Sequence, residues 1–591
     1  MEINCGGVSS GQLGTEVVLY GWCRYIRDHG GKKFVGLADR HGTTQLVFEG
    51  SLVHGASALG REDVVRVEGV VKRRGKDTVD PSNPTGEFEV HVKSLKLISK
   101  SVTPPFEIIP EKSKFLANEE LRLKYRYLDL RRPEMVKNIE LRDGVTKSFR
   151  RFFWDEGFLE LETPTLVKDT YETGARPFIV PSRTKKGAFF SLPQSPQIYK
   201  QLCMVGGLEK YFQIARAFRD EDQREDRQPE FTQVDLEVSF KDEKYVQDLI
   251  ERAVRSVFAD VLPLEDKITF DHIKYKDAMS VYGSDKPDLR YEYKITDVSE
   301  ILSRSDYKIV GRVLSSGGAV KAICFKADYP DKVDKNFMLG LVDEARRLGL
   351  KGLTWVYVKD GSLDSVPQAI AESLKTVSDD LLNSLGASNG DVIVFSADTD
   401  VKLLLTVLGR VRKMMGDRIG KFKKKFSFVW IDEFDLFEKD PVSKKLIPSH
   451  NPFTAPFEED IPLLDSDPPS VRGRQFDLVL NGNEVGGGAV RINDADLQLK
   501  VLKLIGMGKR ESESTFGFLI DSLKFGAPTD AGFAVGLDRF LAVLAGKDSI
   551  RDFILFPKTR TLESPIDSSP TPLSEKRLEE DYSLHVKKLK D

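Results

Sequence analysis

The 591-residue sequence predicts a multidomain α+β protein: a small N-terminal β-barrel, then a sheet-and-helix domain interrupted by a second α+β domain. Three observations carry that expectation. The length exceeds what one core can organise, because single cores stop growing at roughly 250–300 residues. Residues 15–100 read as short strands separated by Gly, Asp and Asn punctuation. Pro287-Asp288-Leu289 breaks off one pattern and residues 427–434 resume it, as though one domain were interrupted by another.

Composition sets the outer bounds. Hydrophobic residues at 40% and charged residues at 31% describe a soluble globular chain with ample core. Met1-Glu2-Ile3-Asn4-Cys5-Gly6-Gly7 has no basic segment leading into an apolar run, and no stretch of about 18 uncharged apolar residues follows, so a cytoplasmic protein with no membrane contact is expected. Cys5, Cys23, Cys203 and Cys324 are far apart and form no C-x-x-C pair, which indicates neither a disulfide framework nor a zinc site. Any metal should then be a hard cation on carboxylates. A net charge of −3 gives no bulk attraction to nucleic acid, so local basic surfaces would have to supply it. Lys72, Arg73, Arg74 and Lys76, the pair Arg131 and Arg132, and the run 421–425 are candidates, although each alone also fits a solvated surface.

The barrel comes first. Residues 17–26, 34–38, 44–48, 64–71 and 87–97 read as five strands, the spacing of a small closed barrel of the oligonucleotide-binding type, whose face can stack unpaired bases on aromatics. Trp22 and Phe34 could serve, or could both be core. Thr103-Pro104-Pro105 ends the barrel, and residues 119–129 read as a short charged helix or hinge. From Ile139 a helix carries the stripe Leu141, Val145, Phe149 and Phe152, stopped by Glu156-Gly157. Residues 158–164 then read as a strand whose Pro164 belongs at a sheet edge or exit. The interrupting stretch mixes strands (320–325, 352–358, 391–396) with helices (336–348, 401–415), an α+β domain in its own right with little catalytic content. Residues 563–572 and a charged helix to 591 read as a mobile tail.

Three segments hold residues able to do chemistry. Residues 211–219 read as a strand ending in Arg219, and in the loop 220–228 seven of nine residues are charged. The returning strand 231–240 alternates so that Gln233, Asp235 and Glu237 share one face, either facing water or forming a ligand platform. Arg219 at the loop mouth could hold a phosphate bidentately, which favours the platform. In the second segment, Asn481-Gly482 signals a tight hairpin that puts Glu484 opposite Val479 and makes Asp477 and Glu484 diagonal neighbours. Two such carboxylates repel unless a cation lies between them, which suits magnesium brought by ATP; unrelated acids on an exposed hairpin are the alternative. Arg491 joins that face only if Gly486-Gly487-Gly488 bulges and reverses the parity, and such a bulge is expected. The third segment, 532–539, runs an apolar strand into a helix, with glycines at the junction and Arg539 in the first turn, a combination that favours anions. No G-x-x-x-x-G-K-[ST] loop is present, so ATP would not bind by that route.

Together these segments resemble the three signature motifs of class II aminoacyl-tRNA synthetases, and within them the bacterial-type aspartate branch. The Phe149 helix with Gly157 to Pro164 resembles motif one, Phe218-Arg219-Asp220-Glu221 through Phe231-Thr232-Gln233 motif two, and Gly536-Leu537-Asp538-Arg539 motif three. The resemblance implies an antiparallel sheet flanked by helices, with motif one at a homodimer interface. It divides the chain into an OB-fold anticodon-binding domain (1–105), a hinge (106–135), a catalytic domain in two parts (136–285 and 421–560), an inserted domain (286–420) and a C-terminal extension (561–591). It implies an aspartate–tRNA ligase that uses ATP and Mg2+ to charge tRNA(Asp). His29-Gly30-Gly31 resembles members with relaxed specificity, which also charge tRNA(Asn).

Residue roles carried over by the resemblance are as follows. Ser195, Gln197, Lys200, Arg219, Asp235, His450, Arg491 and Glu172 would surround L-aspartate, with Lys200 and Arg491 on its side-chain carboxylate. Glu172 and Thr173 compete for one contact, because the loop 170–177 has an extra residue relative to the family pattern. Arg219 would clamp the α-phosphate and Arg539 the γ-phosphate, both as catalytic residues. Asp220, Glu221, Gln228, Glu484, Gly536, Leu537 and Asp538 would complete the ATP site, with Asp477 and Glu484 as magnesium ligands. Phe34, Arg27, Gln45 and Glu89 would read the anticodon, with His29 and Asp77 in tRNA discrimination. An asparaginyl-tRNA synthetase is the nearest rival; Lys200, Arg491 and the inserted domain speak against it.

Overall fold

The structure, a computed structural model, describes residues 1–109, 115–170, 174–222, 224–264, 267–326, 333–365, 368–440 and 442–585. The chain divides into two compact units, Met1–Asp143 with Arg551–Pro572, and Gly144–Ile550 with Leu573–Asp591.

In the first unit, Glu16–His29, Lys32–Asp39, Gly42–Phe48, Val64–Arg73 and Phe88–Ser99 close into a five-stranded barrel. Alternation drives the closure: Val17, Leu19, Cys23, Val35, Leu37, Leu46, Val65, Val67 and Val90 all point inward with no exposure. Gly30 and Gly31 turn the first hairpin at φ of 60° and 77°, the left-handed pair that a two-residue connection between twisted strands requires. The region after the barrel folds into two short helices, Glu119–Lys124 and Arg126–Asp129. Arg126, almost fully buried, donates to Asp129 Oδ2 at 2.7 Å and to the carbonyls of Arg551, Ile554 and Leu555. Arg132 donates to the same Asp129 from the other side at 2.7 Å.

In the second unit an eight-stranded sheet runs, edge to edge, Phe270–Lys274, Phe428–Asp432, Gln475–Leu480, Asn483–Val490, Asp530–Gly536, Glu230–Ser239, Lys210–Phe218 and Leu159–Glu160. Its interior is antiparallel, and only the two edge strands pair in parallel. The strand expected over 158–164 shortens to Leu159–Glu160 at the sheet edge, and Pro164 lies beyond its end. The helix before it spans Pro133–Asp155, six residues earlier than the apolar stripe suggested, because proline is well tolerated in a first turn. Phe153, not Phe152, completes its buried stripe with Val145 and Phe149, packing on Phe158 and Phe212. Truncating either buried phenylalanine would cost about 3–5 kcal/mol.

The inserted segment forms a separate antiparallel sheet, Ile295–Asp297, Ala319–Phe325, Val392–Asp398, Thr354–Lys359 and Ser362–Asp364, with hydrophobic clusters on both sides. All four cysteines are free, and no helix among the described residues is long and apolar enough to cross a membrane.

Candidate active site

The central strands of the large sheet floor a cavity of about 440 Å³. Arg219, Arg491 and Arg539, which lie far apart in sequence, all line it. So do Ser195, Gln197, Lys200, Glu221, Gln228, Asp235, His450, Glu484, Gly536 and Asp538.

The hairpin geometry explains part of this convergence. Asn481 and Gly482 turn at φ of 50° and 76°, which pairs Glu484 with Val479. The register then slips between Val479 and Leu478, so that Val485 is the extra residue of a bulge. The slip lies one residue before the glycine run and puts Glu484, Gly487 and Arg491 on one face. The glycines serve close approach: a Cβ on Gly488 would lie 2.3 Å from Gly532 O, and one on Gly487 would lie 2.8 Å from Asp477 Oδ1.

At one end of the cavity the charges are buried and paired with one another. Asp235 and Glu237, at 1% and 0% exposure, are not water-facing. Lys200 Nζ lies 3.0 Å from Asp235 Oδ2, 3.0 Å from Glu237 Oε2 and 3.2 Å from Leu236 O, so its three protons are all engaged. Arg491 Nε donates to Glu237 Oε1 at 2.8 Å, while Arg491 Nη1 and Asp235 Oδ1 are buried with no hydrogen-bond partner among the described residues. Burial pushes the Asp235 carboxyl up to about 6 against the pull of Lys200, with Glu237 adding to the rise. Burial also works to raise Glu237, but Arg491 and Lys200 outweigh it and hold that carboxylate ionised. Asp530, behind Glu237, is pushed well up by burial and by the Glu237 charge. Gly532 makes room for this arrangement, since a Cβ there would fall 1.6 Å from Glu237 Oε2.

The other end is more open. Arg219 donates to Gln194 O at 3.2 Å, its guanidinium 5.2 Å from the Phe231 ring centre. Arg539 donates to Glu484 O at 2.9 Å and to Asp226 Oδ2 at 3.1 Å, while its Nε is buried with no hydrogen-bond partner among the described residues. Glu484 takes Lys286 Nζ at 3.0 Å, and Glu221 takes Arg227 at 2.8 Å. Asp477 lies behind Gly487, raised well above the carboxylate range by burial and by Glu484. Burial acts to raise Glu484 as well, yet Lys286 and Arg539 hold it below its ordinary value. No group of three metal-ligating side chains occurs among the described residues; the pair Asp477 and Glu484 could hold a hard divalent cation only together with other oxygens, such as phosphates.

Several expected residues are placed differently. Asp220 does not line the cavity; its backbone bridges to Arg176. Leu537 is turned into the core at 1% exposure. Asp538 reaches the cavity wall, but its Oδ2 accepts the Thr232 backbone N–H at 2.7 Å and so ties helix to strand. Glu172 and Thr173 lie outside the described residues. His450 lines the cavity with its imidazole held below its ordinary value by burial and by Arg491, and Asn451 beside it accepts from Phe453 N at 3.0 Å. Sequence reasoning gave no role to Glu237, although alternation had put it on the right face. It also missed Lys286, a single lysine beside a boundary proline that carries no pattern of its own.

The model for class II tRNA synthetases of the D, K and N group matches residues 118–560, which contain this entire cavity. The chain belongs to that family. The synthetase is 44% identical over 594 aligned residues to the aspartate–tRNA(Asp/Asn) ligase of Desulfatibacillum aliphaticivorans, covering 99% of this chain and 97% of that one. It is 42% identical to the aspartate–tRNA ligase of Staphylococcus carnosus, covering 99% of both. Among solved structures it matches the asparaginyl-tRNA synthetase of Pyrococcus horikoshii at a TM-score of 0.58, with 20% identity over 95% of this chain and 98% of that one, a likeness of fold.

The barrel of the synthetase matches the OB-fold nucleic acid binding domain over residues 17–98. Register places Arg27 opposite Phe34, Gly36 opposite Gln45 and Gln45 opposite Glu89, so the four side chains share one partly exposed face. Gln45 donates to Glu89 Oε2 at 2.9 Å, and Arg27 lies 4.8 Å from the Tyr25 ring centre. Trp22 is covered by Arg131 at 4.8 Å, and Arg131 also pairs with Glu62 at 2.9 Å. Arg74 is buried and donates to Phe88 O. These two arginines and Arg132 are therefore held by protein groups within their own unit. His29 and Asp77 are exposed.

Proposed function

We propose that this synthetase activates L-aspartate with ATP and Mg2+, and transfers the aspartyl group to tRNA(Asp) and also to tRNA(Asn). The observation that carries the reading is the convergence of Arg219, Arg491 and Arg539 on one cavity, at whose closed end Arg491 Nη1 is buried without a partner. A buried, underpaired guanidinium favours a ligand with an additional carboxylate. Asparagine in the same place would leave it uncompensated, a loss on the order of 3–5 kcal/mol.

The substrate ammonium goes to Asp235, whose Oδ1 is open to it. Lys200 stays on the other oxygen, Oδ2, and with Arg491 supplies the positive charge that faces the substrate side chain. His450, neutral at working pH, closes the pocket without adding charge. Arg219 holds the α-phosphate and Arg539 the far end of the triphosphate, with Glu221 and Gln228 on the adenosine and Gly536 allowing close approach. The aspartate α-carboxylate oxygen attacks the α-phosphorus in line as the bond to the bridging oxygen breaks, giving aspartyl-adenylate and pyrophosphate. Asp477 and Glu484 would hold the divalent ion, which neutralises charge on the departing pyrophosphate. The terminal adenosine hydroxyl of the tRNA then attacks the aspartyl carbonyl, releasing AMP. No protein nucleophile is needed, because fixed charges and positioning lower the barrier.

The reading includes a cytoplasmic homodimer paired through the helix Pro133–Asp155, as the family resemblance implies. Aspartate-dependent exchange of pyrophosphate into ATP, followed by aspartate transfer to purified tRNA(Asp) and tRNA(Asn), tests it. Exchange driven equally by asparagine would defeat the substrate assignment. Failure to charge tRNA(Asn) would defeat the relaxed specificity, which rests on the His29-Gly30-Gly31 turn and on relatives bearing the Asp/Asn name.

A further inference from the structure

Lys286 belongs to the inserted segment, yet its ammonium reaches the nucleotide end of the cavity, 3.0 Å from Glu484 Oε2 and 3.5 Å from Asp285. The steps above leave it without a role. Its backbone is fixed from both sides. Lys286 N donates to Ser284 Oγ at 3.0 Å, and two residues on, Asp288 is buried against Arg290 at 2.6 Å. Arg412, on the helix Val401–Ile419 of the inserted domain, donates to the carbonyls of Asp288, Tyr291 and Tyr293. Gly283, at φ 65°, meets the same helix so closely that a Cβ would lie 2.1 Å from Leu405 O. On the opposite side Gly482, in the turn of the hairpin that carries Asp477 and Glu484, packs on Asp288: a Cβ there would lie 3.1 Å from its Cβ. The lysine is thus anchored between the inserted domain and the acidic hairpin, while its four-carbon stem leaves the charge free to shift.

We infer that Lys286 is the resident counter-cation of the Asp477 and Glu484 pair, which yields Glu484 to a divalent cation when the nucleotide enters and then binds the polyphosphate. This inference rests on the ATP reading of the cavity. Through it the inserted domain contributes a phosphate-binding residue to the nucleotide site. Two carboxylates side by side attract any cation, and an ammonium 3.0 Å away competes for the same oxygen. The same ammonium, released, is a point charge suited to phosphate oxygens.

Removing the lysine charge should therefore act in opposite directions on two ligands. In the full-length protein, Lys286→Met should bind Mn2+ alone, titrated by electron paramagnetic resonance without nucleotide, at least about tenfold more tightly than the wild type. It should bind ATP, titrated calorimetrically at saturating Mg2+, at least about tenfold more weakly. Lys286→Arg should return both affinities to within about threefold of wild type, since it restores the charge. Lys286→Gln serves as a second neutral variant should the methionine disturb the fold. Unchanged or weaker Mn2+ binding in the neutral variants overturns the inference, as does unchanged ATP affinity. Absence of aspartate-dependent exchange in the wild-type protein would defeat the synthetase assignment itself, whatever the Mn2+ titrations give.

Discussion

The two ends of the cavity are built on opposite principles. At the closed end, proposed for the amino acid, Lys200, Asp235, Glu237 and Arg491 are buried to 3% exposure or less and bonded to one another before any ligand arrives. At the open end, proposed for the nucleotide, Arg219, Glu221, Glu484, Lys286 and Arg539 are partly exposed and hold partners that a ligand can displace. A closed network suits selection among near-identical small molecules, because a wrong charge has no solvent to compensate it. Exchangeable pairs suit a large polyanion that arrives with its own cation and leaves in two pieces.

Changes at either end should separate these behaviours. The largest effect is expected for Arg219→Ala, which removes a charge from the reacting phosphate and should lower kcat for pyrophosphate exchange by about 10²–10³. Gly532→Ala should come next: it thrusts a Cβ into Glu237, moves Arg491, and should raise the aspartate KM by about 10²-fold while the ATP KM holds within about threefold. Equal damage to both constants would mean that the two ends are not independent. Phe34→Ala on the barrel face should raise the tRNA KM about five- to a hundredfold, from the loss of one stacked base, and leave pyrophosphate exchange unchanged. The smallest effect is a pH limb. As pH falls through about 6, Asp235 takes up a proton and loses its attraction for the substrate ammonium, so kcat/KM for aspartate should decline on the acid side. Asp235→Asn should show a lower plateau without that limb.

Much of this plan is legible in the sequence, for physical reasons that differ from place to place. Gly, Asp and Asn punctuation made the barrel strands readable, because the tight turns between short strands need those residues, and Glu16–His29 and Val64–Arg73 alternate between buried and more exposed positions as a half-buried strand must. The Asn481-Gly482 turn fixed its hairpin, and the parity of Glu484 and Arg491 demanded the bulge that the structure places at Val485. Other features depend on contacts remote in sequence. Gly532 is required by Glu237, nearly 300 positions earlier, and no local pattern announces that. Asp538 and Leu537 sit in a signature phrase, yet one ties helix to strand and the other fills the core. Arg131 and Arg132 look like a nucleic-acid patch, and only the fold shows Glu62 and Asp129 holding them.

The claim that the closed end selects by charge is tested most directly by comparing aspartate with asparagine in pyrophosphate exchange, in the wild type and in Arg491→Leu. The wild type should favour aspartate by more than about a hundredfold in kcat/KM. Arg491→Leu should bring that ratio below about tenfold, mainly through loss of aspartate activity. A ratio that is the same in both proteins would mean that this guanidinium does not distinguish the two amino acids and that the closed end does not select by charge.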